Sequence, residues 1–391
     1  MNTFKVEVFK LVKSRKYIAF CMALMVIIGI KFYGIHVDAK NELPTIKLEN
    51  NELLLIDYKA KVKDESIPEN KLNEYRARIK VIEEENIELK EEIEQPNYNW
   101  KEKLVRKNEN LNNKIKSDEL AFRYNDVKKS KGEILTNEYL LSNNIEPQKA
   151  YKIEAFVDIS KVIKFINILL LPMLIVIIAC DTISGEMQNS TAKMFLTKPI
   201  KRGQVIISKF LALFLVCYIT VVIIEIISFL IMGMLFDFGS AKYPMIVGTL
   251  YDIDRLKNIS AIADSSYIIT ISEYLVKTIL YQGITILPII AVTLFISVKS
   301  ISVSTSFILS GIITLVTSVI TFITPIKFLK YIYPYFFITY SDGTQILEGV
   351  INSRLSTSNI SLSLGIIVCT IWTVLFLILS YKRFNSIDIK V

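Results

Sequence analysis

The stretch 181-DTISGEMQNSTAKMFLTKPIKRGQVIISK-209 separates two long apolar runs and holds no run of its own long enough to cross a bilayer. It is basic overall, because Lys193, Lys198, Lys201, Arg202 and Lys209 outweigh Asp181 and Glu186. An excess of Lys and Arg in a short connection marks the cytoplasmic side of a membrane. Met187, Thr191, Met194 and Phe195 fall at helical spacing and share one face. Pro199 cannot continue a helix and ends it. The spacing therefore predicts a short amphipathic helix held under the membrane between two spans. Such a helix either lies on the lipid surface or docks a cytoplasmic partner.

Outward from this loop, the chain alternates apolar runs with polar segments. Residues 1–16 form a basic amphipathic helix, with Phe4, Val8, Leu11 and Val12 on one face and Lys5, Lys10, Lys13, Arg15 and Lys16 toward the headgroups. Spans are expected at 17–37, 161–180, 205–236, 270–298, 301–323 and 359–381, each near the length that crosses a hydrocarbon core of about 30 Å. The cytoplasmic loop is 181–204. Lys382 and Arg383 close the last span and return the tail, 382–391, to the side of the N-terminus. The fold class read from this pattern is an all-α polytopic membrane protein: six transmembrane helices, an N-terminal interfacial helix and an extracellular helical-hairpin (coiled-coil) domain.

That extracellular domain is 38–160, rich in Glu, Lys and Asn. Leu72, Tyr75, Ile79, Ile82, Asn86, Leu89 and Ile93 make a heptad seam with a register-setting Asn. Trp100, Leu104, Leu111, Ile115 and Phe122 make a second seam after a break at Gln95-Pro96-Asn97. The short break predicts that these two helices fold back on each other, projecting roughly 35–40 Å at about 1.5 Å per residue. A solvated stalk and a receptor for an extracellular ligand both fit.

The remaining segments are an irregular polar loop at 237–269 and an aromatic-rich stretch at 324–358, too broken to span and too apolar for a free loop. A re-entrant hairpin at the outer surface fits it. Glu225 lies deep in the third span, where an ionisable group is costly. It reads either as packed against a neighbouring Tyr, Ser or Thr or as a contact on a translocation path. Ser306, Ser310, Thr314, Thr317 and Thr321 form a small polar stripe suited to helix packing, within the chain or between copies, ahead of substrate lining.

Catalytic signatures are absent. The sequence has no G-x-x-x-x-G-K-[ST], no H-E-x-x-H and no G-x-S-x-G, and its one histidine, His36, sits at an interface. The four cysteines, Cys21, Cys180, Cys217 and Cys369, fall in apolar runs, with no metal-binding spacing. The net charge of +8 lies largely in loops beside spans, so it points to no nucleic acid.

The loop resembles that of permease subunits of ABC exporters of the ABC-2 type. In that family a Glu is followed by a Thr, two large apolar residues, Pro, a β-branched residue, Arg and later Lys. Here these are Glu186, Thr191, Phe195 with Leu196, Pro199, Ile200, Arg202 and Lys209, with Ser190 and Ser208 where the family carries Gly. The resemblance covers the spans, about 270 residues, and leaves out the stalk. It implies two permeases paired as a homo- or heterodimer above separate cytoplasmic ATPase subunits that hold ATP and Mg, with no cofactor in this chain. Glu186, Met187, Thr191, Met194, Phe195, Leu196, Pro199 and Arg202 would couple to the ATPase. Two short outer helices would cap a path touching Glu225, Tyr333, Phe336 and Phe337. The expected substrate is amphipathic or hydrophobic, such as a peptide antibiotic, a lipid-like compound or a drug, moved outward for resistance or self-immunity. The expected location is a bacterial plasma membrane with both termini cytoplasmic. A receptor or scaffold that senses envelope signals through the stalk, without transport, is the competing reading.

Overall fold

The computed structural model describes residues 3–63, 68–94, 99–120, 124–189, 202–253, 259–262, 264–322 and 329–386. A short helix, α1 (Thr3–Val12), leads into α2 (Arg15–Asn41). The break between them is set by Ser14, whose hydroxyl accepts the Tyr17 N–H at 3.1 Å and caps α2. The second apolar run is continuous from α7 (Ala155–Phe165) through a π-helical turn (Ile166–Leu170) to α8 (Leu171–Ala179) and the short α9 (Ser184–Gln188). Pro172 explains the π turn. It removes one backbone donor, and the helix widens just before it, so that the Leu171 N–H reaches the Ile166 carbonyl.

Three further helices complete the block: α10 (Arg202–Leu235), α11 (Ile271–Lys299) and α12 (Val303–Phe322). A last long helix, α15 (Leu362–Asn385), follows the segment described below. Five runs are long and apolar enough to cross a membrane: 15–41, 155–188, 202–235, 271–299 and 362–385. The fifth expected span corresponds to a shorter apolar helix, Val303–Val319. Among the described residues the arrangement is thus five candidate spans plus one shorter apolar helix.

The axle of the block is α11. Of its most apolar window 72% is buried, against 22% for α2 and for α15. It packs chiefly along α15, and glycine makes that contact possible. A Cβ on Gly365 would meet the Tyr281 hydroxyl at 2.1 Å and the Tyr340 ring at 2.5 Å. The Ser/Thr stripe of α12 turns inward. Ser306, Ser310 and Thr314 are buried, and the Ser306 hydroxyl donates to the Cys180 carbonyl of its own chain at 2.5 Å. Thr317 is half-buried, and the Thr321 side chain lies outside the described residues.

At the opposite end from α1 stand four helices: α3 (Pro44–Val62), α4 (Glu69–Glu94), α5 (Trp100–Leu120) and α6 (Tyr124–Asn143). Their pairing corrects the sequence expectation. The seam of α4 faces α3, not α5, and α5 pairs with α6. Asn86 shows why. Its Oδ1 accepts the Asn51 Nδ2–H of α3 at 2.9 Å, while Tyr58 of α3 stacks on Tyr75 with ring centroids 5.6 Å apart. Leu48, Asn51, Leu55, Tyr58 and Val62 repeat the same 3–4 spacing on α3. The second pair has its own amide bond, from Asn137 Nδ2 to Asn108 Oδ1 at 2.7 Å. The seam residue Phe122 lies outside the described residues.

The loop expected to be irregular contains four short strands: β1 (Pro244–Val247), β2 (Tyr251–Ile253), β3 (Ile259–Ala261) and β4 (Tyr267–Thr270). β1 pairs antiparallel with β4, Pro244 opposite Thr270, and β2 pairs with β3, Tyr251 opposite Ala261. The chain is therefore mostly helical without being purely so. The small sheets seat α6: Lys128 donates to the Tyr251 hydroxyl at 2.8 Å, and Gly132 lies under the Ile246 side chain.

Residues 329–355 form three 3-10 turns followed by α13 (Gly343–Glu348) and α14 (Val350–Leu355). Gly349 joins the two helices at φ +78°, and a Cβ there would strike the Thr249 carbonyl oxygen at 2.1 Å. Only glycine fits both the left-handed backbone and that approach.

Candidate functional site

At the α1 end, charged side chains from three distant segments meet. Lys209, near the start of α10, is 1% exposed. Its Nζ donates to Glu7 Oε2 of α1 at 2.9 Å and to Glu186 Oε1 of α9 at 2.8 Å. Lys10 Nζ donates to the same Glu186 oxygen at 2.8 Å. Among the described residues, two ammonium groups and two carboxylates meet here. Burial works against the charge of Lys10, but its hydrogen bond to Glu186 and the charges of Glu186 and Glu7 outweigh it and hold its pKa above the ordinary value. Lys16 adds a separate pair with Asp181. A cleft of about 270 Å³ opens here, bordered by Lys10, Lys16, Asp181, Glu186, Asn189 and Lys209.

The sequence explains how the chain places these groups. α1 is amphipathic, and its Glu7 lies buried against α10. Ser208 stands where the resembled family has Gly, and its hydroxyl bonds the Thr3 hydroxyl at 2.8 Å, a second tie between the two helices. α9 is anchored from the other side. The Ser297 hydroxyl accepts the Ile183 and Ser184 N–H groups at 3.1 and 3.0 Å, and Gln188 Oε1 accepts the Val303 N–H at 2.9 Å. The root of the 186–202 loop is therefore fastened to α1, α10, α11 and α12.

The residues expected to couple to an ATPase divide into four groups. Glu186 lies in the ionic cluster. Met187 is half-buried against the chain's own core, where α9 packs on α11 and α12. Arg202 donates to the Asn385 carbonyl at 2.7 Å and the Phe384 carbonyl at 3.3 Å, neutralising the C-terminal end of α15. Thr191, Met194, Phe195, Leu196 and Pro199 lie outside the described residues.

A second polar group sits inside the helical block. Glu225 of α10 is 2% exposed, and Gln282 of α11 and Asn167 of the π turn are 1% exposed each. Gln282 Nε2 donates to Glu225 Oε1 at 2.9 Å and to Asn167 Oδ1 at 2.8 Å. The partner of Glu225 is thus an amide, not the hydroxyl side chain the sequence reading allowed. Gln282 and Asn167 were missed because each is one polar residue in a long apolar run. Their common depth, 10 residues from the hairpin end for Glu225, 11 for Gln282 and 12 for Asn167, emerges only with the helix bounds of the structure.

The other candidate path residues lie elsewhere. Tyr333 and Phe337 are buried at the hairpin end, and Phe336 is half-buried. Phe336 and Phe337 pack on Trp372 of α15 with centroids 5.6 and 5.1 Å away, and Trp372 Nε1 donates to the Tyr335 carbonyl at 2.9 Å. No contact joins this aromatic group to Glu225 among the described interactions. Asp342 caps α13, accepting from the Thr344 N–H at 3.1 Å and from Gln345 Nε2 at 2.6 Å. Burial pushes its carboxyl above the usual carboxylate range despite these bonds.

Long apolar helices around a buried axle, with a short N-terminal helix ion-paired to the loop root, describe a polytopic membrane protein. The chain matches the ABC-2 family transporter proteins over residues 1–389, and it belongs to that family. It is also similar to the uncharacterized protein YhcI of Bacillus subtilis (strain 168), with 23% identity over 303 residues, covering 75% of this chain and 86% of that protein. The protein is accordingly a membrane-embedded permease component of an ABC transporter.

Proposed function

We propose that the chain is the permease subunit of an ATP-driven exporter, paired with a second permease and driven by separate ATPase subunits that carry ATP and Mg on the cytoplasmic side. One observation supports the reading above others. Lys209 ties Glu7 and Glu186 together, so the root of the 186–202 loop is continuous with α1 and the third run. A push on that loop would be delivered to several spans at once, as rigid-body coupling requires. The chain has no Walker sequence of its own, so the energy would come from a partner.

In this reading, Met194 and Phe195 form the apolar plug for a groove on the ATPase. ATP-driven closure of the ATPase pair moves the loop root, the spans shift, and an amphipathic or hydrophobic molecule such as a membrane-active peptide leaves outward. Few charges lie within the apolar runs, which suits such a cargo. The membrane would be a bacterial plasma membrane, with both termini inside.

The test is purification from the native membrane in mild detergent, followed by ATPase assay of the complex. An ABC ATPase should co-purify, and Met194→Asp with Phe195→Asp should release it or uncouple its hydrolysis while the chain stays folded. A chain that purifies without any ATPase, and whose activity is indifferent to the double substitution, would instead be a scaffold or receptor.

A further inference from the structure

We propose that Asn167, Glu225 and Gln282 form a recognition site for a primary carboxamide group of the transported molecule. The inference begins with what their internal bonds leave over. Both hydrogens of Gln282 Nε2 are used, one on Glu225 Oε1 and one on Asn167 Oδ1. Three buried atoms then stand without a hydrogen-bond partner: Gln282 Oε1, Glu225 Oε2 and Asn167 Nδ2. Leaving a buried polar atom unmet costs about 1–3 kcal/mol each, so a chain that keeps three in one cluster is holding them for another group.

The chemistry of the three atoms selects that group. Two are acceptors and one is a donor. A carboxamide has two N–H bonds and a carbonyl oxygen, so it answers the two acceptors and the donor together. A single peptide unit offers one N–H and one C=O, and answers two of the three. An ammonium group would leave Asn167 Nδ2 opposed by another donor. An ester offers acceptors only and would leave Glu225 Oε2 and Gln282 Oε1 unanswered.

The location suits a site reached during transport. At about 1.5 Å per residue, the 10–12 residues to the hairpin end of each run put the cluster roughly 15–18 Å deep. Three separate elements contribute one side chain each: the π turn, α10 and α11. π-helical turns frequently mark functional positions, where the widened backbone can change register locally. Burial of all three side chains means that a cargo reaches them only when these helices part, so the inference rests on the permease reading above.

The experiment needs no ATPase, which keeps its failure separate from failure of that reading. The purified chain in detergent is titrated with acetyl-trileucine amide and with acetyl-trileucine methyl ester, following bound radiolabel at equilibrium and the shift of thermal unfolding. The amide should bind at least about tenfold more tightly than the ester, one tenfold step being about 1.4 kcal/mol. Asn167→Leu removes the donor to the carbonyl that both probes share, so it should weaken the binding of both. Glu225→Gln keeps an acceptor for Gln282 but turns the outward oxygen into a donor, so it should reduce the preference while the unliganded protein unfolds at the wild-type temperature. Equal affinity of wild type for amide and ester would assign the three atoms to an internal water and overturn the proposal. So would a preference left undiminished by Glu225→Gln, or binding that is indifferent to Asn167→Leu.

Discussion

Lys209 Nζ lies 2.8 Å from Glu186 Oε1 across 23 residues of chain, so the loop between them closes on an ion pair. Its partners are unequal in burial, with the lysine side chain 1% exposed and the glutamate 18%. Such pairs add little net stability, yet removing one member strands the other in a poor solvent. Lys209→Met should therefore destabilise the protein by about 3–5 kcal/mol, because it takes from Glu7 and Glu186 the buried cation they share. Thermal unfolding in detergent measures this. Adding Glu7→Gln and Glu186→Gln should recover most of the loss, and no recovery would show that the lysine acts by its size.

The amide pair of the first hairpin invites a double-substitution cycle. Asn51→Leu alone leaves Asn86 buried and unmatched, costing about 1–3 kcal/mol. Asn51→Leu with Asn86→Leu should be as stable as wild type or more so, since both polar groups are then gone. The price in specificity would appear as altered register, detectable by cysteine crosslinking at positions 58 and 75. A double variant no better than the single ones would refute the pairing.

Gly365 and Tyr281 make a steric prediction. Gly365→Ala drives a methyl group into the Tyr281 hydroxyl and should cost about 1–3 kcal/mol, the usual range for overpacking. The Tyr281 hydroxyl is buried without a hydrogen-bond partner, so Tyr281→Phe alone should be neutral or slightly stabilising. Combined, Tyr281→Phe should restore part of the stability that Gly365→Ala removes, because the Tyr340 ring still stands 2.5 Å from the added carbon. Strictly additive effects would mean that the two helices adjust elsewhere.

A pH effect is expected in the first hairpin. The hydrogen bond from Lys47 holds Glu85 below the usual carboxylate range; burial opposes this, and Asn51 and the charge of Lys47 add to it. A group whose folded value is depressed stabilises the fold above its unfolded value, near pH 4.3. That contribution fades as the pH falls through the lower, folded value. Hydrogen exchange in α3 and α4 should accelerate relative to α5 and α6 as the pH drops below about 4.3, and Glu85→Gln should flatten the difference.

Apolar runs, positive connections and the Glu186–Lys209 loop were legible in the sequence because they depend on local composition. Helix pairing at the hairpin end was not. The heptad of α4 identified the seam face correctly, but Asn86 could not announce that its partner was Asn51 instead of a residue after Pro96. The β strands escaped notice because each is three or four residues long, below the reach of an alternation pattern. Glu225 was visible as an anomaly, whereas Gln282 and Asn167 gain meaning only when three helices are brought to a common depth.

The pairing of Glu7 with Lys209 spans 202 residues of chain. During synthesis the first helix is therefore made long before the lysine that fixes it exists. Docking of α1 must wait until the third apolar run has entered the membrane, which makes it a late step of biogenesis. A chain released before that point would carry Glu7 and Glu186 with Lys10 shared between them, and would present to membrane quality control an N-terminus that has not yet been locked.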